Sequence, residues 1–121
     1  MQPRVLVLDD DANILSAFSD FFKKEQCIMI AASSAEEAMK KLEEVKVDLL
    51  ITDIRLKGRS GVTFFLNAKI LYPLLPTIIM TGYPESVNEQ EILSLGADCF
   101  LVKPLDLEKL RKAIRICLSN K

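Results

Sequence analysis

Leu49-Leu50-Ile51-Thr52-Asp53 is the stretch that decides the fold. Its first four residues are apolar or β-branched without alternation, and the run stops on a carboxylate. A strand with one wet face alternates polar and apolar residues. A continuous run of strand length fits a strand covered on both faces, as in a parallel sheet. Working outward, the same pattern recurs at Val5–Leu8, Ile28–Ala32, Thr77–Met80 and Cys99–Val102.

Segments of helical period separate these runs. The first carries Ile14, Leu15, Phe18, Phe21 and Phe22, and the second Ala35, Ala38, Met39 and Leu42. The third carries Phe64, Phe65, Ala68 and Leu71, and the fifth Leu107, Leu110, Ile114 and Leu118. The fourth, about residues 85 to 95, is weakest, with Val87, Ile92 and Leu95 as its apolar marks. Ser34 and Glu37 have capping-box spacing, and Asp11 and Asp106 are placed to cap the first and fifth helices. Gly96 follows the fourth helix, where a left-handed residue is often needed. Pro73 and Pro76 bracket the turn before the fourth strand.

Strict alternation of strands and helices implies right-handed crossovers between parallel strands, with helices on both faces. For five strands in 121 residues, the expected architecture is an α/β, flavodoxin-like three-layer (βα)5 sandwich of strand order 2-1-3-4-5. Residues 1–121 are read as one domain. Ligands in such sheets lie beyond the carboxyl ends of the strands, beside strands one and three.

Composition narrows the chemistry. The formal net charge is -1, which suggests no direct nucleic-acid or membrane surface. No apolar run reaches the length of a membrane span. Cys27, Cys99 and Cys117 are read as reduced thiols packed among apolar neighbours, and the cytoplasm as the natural compartment. The sequence has no histidine, which excludes Ser-His-Asp triads and histidine zinc sites.

The strand ends carry the polar groups. Strand one ends in Asp9-Asp10-Asp11, strand three in Asp53, strand four in Thr81-Gly82 and strand five in Lys103-Pro104. Asp9, Asp10 and Asp53 would repel each other at one rim unless protons or a cation were taken up. A hard divalent ion with oxygen ligands fits, and magnesium would keep several waters. With Lys103 as a second positive charge and Thr81 as a hydroxyl donor, the set suits phosphoryl transfer to a carboxylate.

Four segments then carry a resemblance: Val5-Leu-Val-Leu-Asp9-Asp10-Asp11, Leu49-Leu-Ile-Thr-Asp53-Ile-Arg-Leu, Ile78-Ile-Met-Thr81-Gly82-Tyr83, and Gly96-Ala-Asp-Cys-Phe100-Leu-Val-Lys103-Pro104. In this order the chain resembles receiver domains of two-component response regulators over about residues 4 to 118. The resemblance implies that Asp53 is the phosphoacceptor and a magnesium ligand. It implies that Asp9 and Asp10 are the acidic pair holding Mg2+, Asp10 directly, and that the Arg55 carbonyl is a further ligand. Thr81 becomes the switch hydroxyl, Lys103 the contact to another phosphoryl oxygen, and Phe100 the switch aromatic. Gly82 leaves room beside Thr81.

The implied donor is a histidine kinase or phosphotransfer protein. The implied reader, an output domain or effector protein, would sense the face of the fourth helix, fifth strand and fifth helix. A homodimer through that face is open to it. Arg55 and Tyr83 flank the site and are bulky, which implies slow self-dephosphorylation. Such a domain is no enzyme beyond catalysing its own phosphorylation and dephosphorylation. Two departures stand out: Lys57 where the family usually has proline, and phenylalanine rather than tyrosine at position 100.

Blander readings stand beside these. Asp11 reads better as a helix cap than as a ligand, and Arg111, Lys112 and Arg115 as a solvated face. Phe100 reads equally as a half-buried strand residue. A pseudo-receiver that is never phosphorylated is one alternative, although such modules usually lack an acid, the threonine or the lysine. A haloacid-dehalogenase-type phosphatase would use Asp9-Asp10-Asp11 but gives Asp53 no task.

Overall fold

A computed structural model describes residues 2–56 and 59–119. Lys57 lies outside the described residues. The chain alternates β1 (Arg4–Leu8), α1 (Ala12–Lys24), β2 (Ile28–Ala32), α2 (Ala35–Glu44), β3 (Leu49–Asp53), α3 (Gly61–Leu71), β4 (Thr77–Thr81), α4 (Glu89–Ser94), β5 (Cys99–Val102) and α5 (Leu107–Ser119). All five strands are parallel, in the order β2-β1-β3-β4-β5. The expected fold class and strand order are therefore both found. A short antiparallel ladder, Arg55–Leu56 against Arg59–Ser60, follows β3.

Side-chain alternation explains the three layers. Val5, Val7, Leu49, Ile51, Ile78 and Met80 face one side, where Phe18, Phe21 and Phe22 of α1 and Leu110, Ala113 and Ile114 of α5 cover them. Leu6, Leu8 and Leu50 face the other side, under Ala38 and Leu42 of α2 and Phe64 and Ala68 of α3. Ile79 on that side meets Phe65 of α3 and Ile92 of α4. Every residue of β3 and β4 is buried, whereas the edge strands β2 and β5 are partly open. Continuous apolar runs thus mark sheet membership at both kinds of position, but full burial only at the centre.

The caps behave as their chemistry requires, with one shift. Asp11 accepts from Asn13 N, Ser34 from Glu37 N, and Asp106 from Glu108 N. In return, the Glu37 carboxylate accepts from Ser33 N rather than from Ser34 N. Gly96 has φ +115°, conformational space that L side chains rarely enter.

The fourth helix differs from its expected span. A 3-10 turn occupies Pro84–Ser86, Val87 is extended, and α4 begins only after Asn88, whose side chain accepts from Glu91 N at 3.0 Å. Asn88 offers a strong N-cap at that point, and Pro84 starts the preceding turn without needing an N–H. Among the described residues, no helix is long and apolar enough to cross a membrane.

Candidate phosphoacceptor site

Parallel register brings the strand ends together. Leu8 pairs with Thr52, so the residues that follow, Asp9 and Asp53, emerge side by side. Asp53 pairs with Met80, and Thr81 with Val102, which places Lys103 next along the same rim. The Lys103–Pro104 peptide is cis.

Lys103 connects the two carboxylates. Its Nζ donates to Asp9 Oδ2 at 2.7 Å and to Asp53 Oδ2 at 2.5 Å. Asp9 is 0% exposed, and its Oδ1 also accepts from Asp11 N at 2.9 Å. Asp53 Oδ1 accepts from Arg55 N at 2.8 Å. Burial pushes the Asp9 carboxyl above the ordinary 3.8, against the opposing pull of Lys103 and of Asp11 N–H. Burial alone would lower Lys103, but its bonds to Asp53 and Asp9 outweigh that and hold the ammonium above 10.5. The two directions are compatible: Asp9 is short of compensating charge while Lys103 has two carboxylates.

Asp9, Asp10, Asp11, Asp53, Arg55, Gly82, Tyr83 and Lys103 line a cleft of about 620 Å³ over this cluster. Thr81 does not line it. Its side chain is buried, and its hydroxyl oxygen accepts from Tyr83 N at 2.9 Å, which leaves the hydroxyl proton to donate elsewhere. Phe100 is half-buried and packs against Ile54, Phe65, Ile79, Ile92 and Ala97, apart from the cleft. A Cβ on Gly82 would come no nearer than 3.8 Å to Lys103 Cδ.

Three features were not read from the sequence. The Arg55 guanidinium lies over the Tyr83 ring, 4.8 Å from its centroid, joining the loops that follow β3 and β4. The Thr52 hydroxyl donates to the Asp53 carbonyl at 3.0 Å. Gly61 presses on the backbone behind Asp53: a Cβ there would stand 2.5 Å from Asp53 O and 2.8 Å from Ile54 C. The available signal for Gly61 was a glycine at the first position of a helix, a place where its backbone entropy needs a reason.

Lys103 offsets one of the buried negative charges. Lys103→Met should therefore lower stability in divalent-free buffer by about 3 kcal/mol, the usual scale for breaking a buried pair on one side. Urea denaturation measures this, and an unchanged midpoint would show that the bridge carries no net stability.

The profile of the response regulator receiver domain family matches residues 5–115. The sporulation initiation phosphotransferase F of Bacillus subtilis (strain 168) is 28% identical over 121 residues, covering all of this chain and 98% of that protein. The transcriptional regulatory protein ZraR of Escherichia coli (strain K12) is 28% identical over 116 residues, and there the chain spans only 26% of the relative's length. The receiver domain protein from Clostridium thermocellum superposes with TM-score 0.90 at 27% identity, over 98% of this chain and 95% of that one. The response regulator TrrA from Thermotoga maritima, solved in complex with Mg(2+)-BeF, gives TM-score 0.86 at 27% identity, over 97% of this chain and all of that one.

Proposed function

The chain belongs to the response regulator receiver domain family of two-component signalling, and from that premise we propose that Asp53 is its phosphoacceptor. The observation that carries this reading is the Lys103 ammonium, shared between Asp53 and Asp9 at the strand ends.

Magnesium fits this donor set. Among the described residues no three Asp, Glu, His or Cys side chains are gathered tightly enough to form a cage. Magnesium does not need one, because it keeps several waters and is commonly held by one or two carboxylates. The cleft groups able to ligate a cation are oxygens, since the nitrogens of Lys103 and Arg55 are cationic, and Asp9 is a buried carboxylate whose burial disfavours its charged form. Asp10, Asp53 and the Arg55 carbonyl would be the direct ligands, with Asp9 supporting them. When bound, the ion offsets negative charge on the phosphoryl oxygens.

In the proposed reaction an Asp53 oxygen attacks phosphorus, and the bond to the donor's imidazole nitrogen breaks. The donor is a histidine kinase or phosphotransfer protein, since this chain has no histidine. Lys103 holds a phosphoryl oxygen, and Thr81 turns its hydroxyl toward another. That movement biases the α4-β5-α5 face, and an output domain or effector protein reads it. Phe100 follows Thr81 as the switch aromatic. Leu95, which follows α4, and Val102, Leu107 and Ile116 of β5 and α5 are all exposed, which supports a partner or a second copy there. The three free thiols suit the cytoplasm.

The test is incubation with acetyl phosphate and magnesium, followed by intact mass. A magnesium-dependent phosphoryl adduct supports the reading, and no adduct under any condition turns it to a pseudo-receiver.

The Arg55–Tyr83 stack borders the cleft through which a hydrolytic water must pass. Self-dephosphorylation is therefore expected to take minutes or longer at room temperature. An exposed cation–π contact is worth about 1 kcal/mol, so Tyr83→Ala should shorten the lifetime by up to about fivefold. Loss of label from the native chain within seconds would overturn this.

A further inference from the structure

Two of the three thiols meet in the core. Cys99 opens β5, Cys117 lies near the end of α5, and their sulfurs are 3.9 Å apart. That is contact distance, and a disulfide requires only about 2 Å of further approach. Cys117 is 2% exposed and belongs to the cluster between α1, α5 and the sheet. Cys99 is half-buried at the sheet edge, so a small reagent reaches it first. Cys27 is engaged elsewhere, with its thiol donating to the Glu25 carbonyl at 3.6 Å.

We propose that Cys99 and Cys117 form an oxidation site, at which a small peroxide converts the two thiols into an intrachain disulfide fastening α5 to β5. The Cys99 thiolate attacks one peroxide oxygen. The S–O bond forms, the O–O bond breaks, and the departing hydroxide takes a proton to become water. The Cys117 sulfur then attacks the Cys99 sulfur of the resulting sulfenic acid. The S–S bond forms, the S–O bond breaks, and the hydroxyl leaves with the Cys117 proton as a second water. Two thiols have given two electrons to the peroxide, and a dithiol reductant reverses the product.

Burial pushes the Cys117 thiol up to about 12 and raises Cys99 as well, with Asp98 adding in the same direction. Thiolate is scarce at neutral pH, so the reaction is slow, unlike that of a catalytic cysteine. The site is a response to sustained oxidant, and it stands independently of phosphorylation at Asp53.

The test uses the full chain as Cys27→Ser, which keeps both core thiols in place. The reduced protein is held in excess hydrogen peroxide for hours, denatured, alkylated and mapped. The expected product is lighter by two hydrogens, has lost both alkylatable thiols, and yields one linked peptide pair containing Cys99 and Cys117. Dithiothreitol restores both thiols, and Cys99→Ser abolishes the product. Two thiols still alkylatable after oxidation, Cys99 carried on to sulfinic acid without the link, or disulfide between separate chains would each overturn the proposal.

Discussion

Asp53→Asn is expected to abolish the magnesium-dependent phosphoryl adduct while leaving the chain folded. Asp53 is the carboxylate that ends the central strand β3, and its side chain is held from both sides. Oδ1 accepts from Arg55 N and Oδ2 from Lys103. Such a carboxylate is oriented before the donor arrives, which is where positioning lowers the barrier. Asparagine keeps the shape and can still accept one bond. Its amide nitrogen is a poor nucleophile and cannot accept from Lys103, so the bridge to β5 loosens while the attack is lost. Asp9 cannot substitute, because it is fully buried and already bonded to Lys103 and Asp11 N. Intact mass after acetyl phosphate treatment measures the effect. An adduct of undiminished yield in Asp53→Asn would mean that another aspartate is the acceptor.

Among the described glycines, Gly61→Ala is expected to meet the closest backbone contacts and to be clearly destabilising. The new Cβ would stand 2.5 Å from Asp53 O and 2.8 Å from Ile54 C and O. These are backbone atoms, so no rotamer change relieves the contact. Gly61 N also donates to Ile54 O at 2.5 Å, which ties the start of α3 to the same segment. The chain must move one away from the other, and the segment that moves carries Asp53, the proposed phosphoacceptor. Overpacking of this kind costs roughly 1–3 kcal/mol, or about 4–12 °C of melting temperature for a domain of this size. Phosphoryl uptake should slow as well, even where the variant is folded. Gly82→Ala is the control: its Cβ meets nothing nearer than 3.8 Å, and its stability should stay within about 0.5 kcal/mol of the native chain. Equal melting temperatures for the two variants would sink this account.

Sequence alone determined the layers, the strand order and the rim on which the polar residues gather. Continuous apolar runs report burial on both faces, and parallel strands all point their carboxyl ends the same way. Asp9, Asp53, Thr81 and Lys103 each follow or end such a run, so their convergence was legible without coordinates. Even the caps at Asp11, Ser34 and Asp106 were local enough to read. The fourth helix was not, because its apolar spacing persists across the break that Pro84 and Asn88 impose.

Tertiary structure decided everything that depends on how far one side chain or backbone reaches across elements. The sharing of Lys103 between Asp9 and Asp53, the Arg55–Tyr83 stack, the pressure of Gly61 on the Asp53 backbone and the Cys99–Cys117 contact all join separate segments. Periodicity specifies which way a residue faces. Only packing specifies what it meets there, because an ångström or two of helix placement separates a contact from a gap.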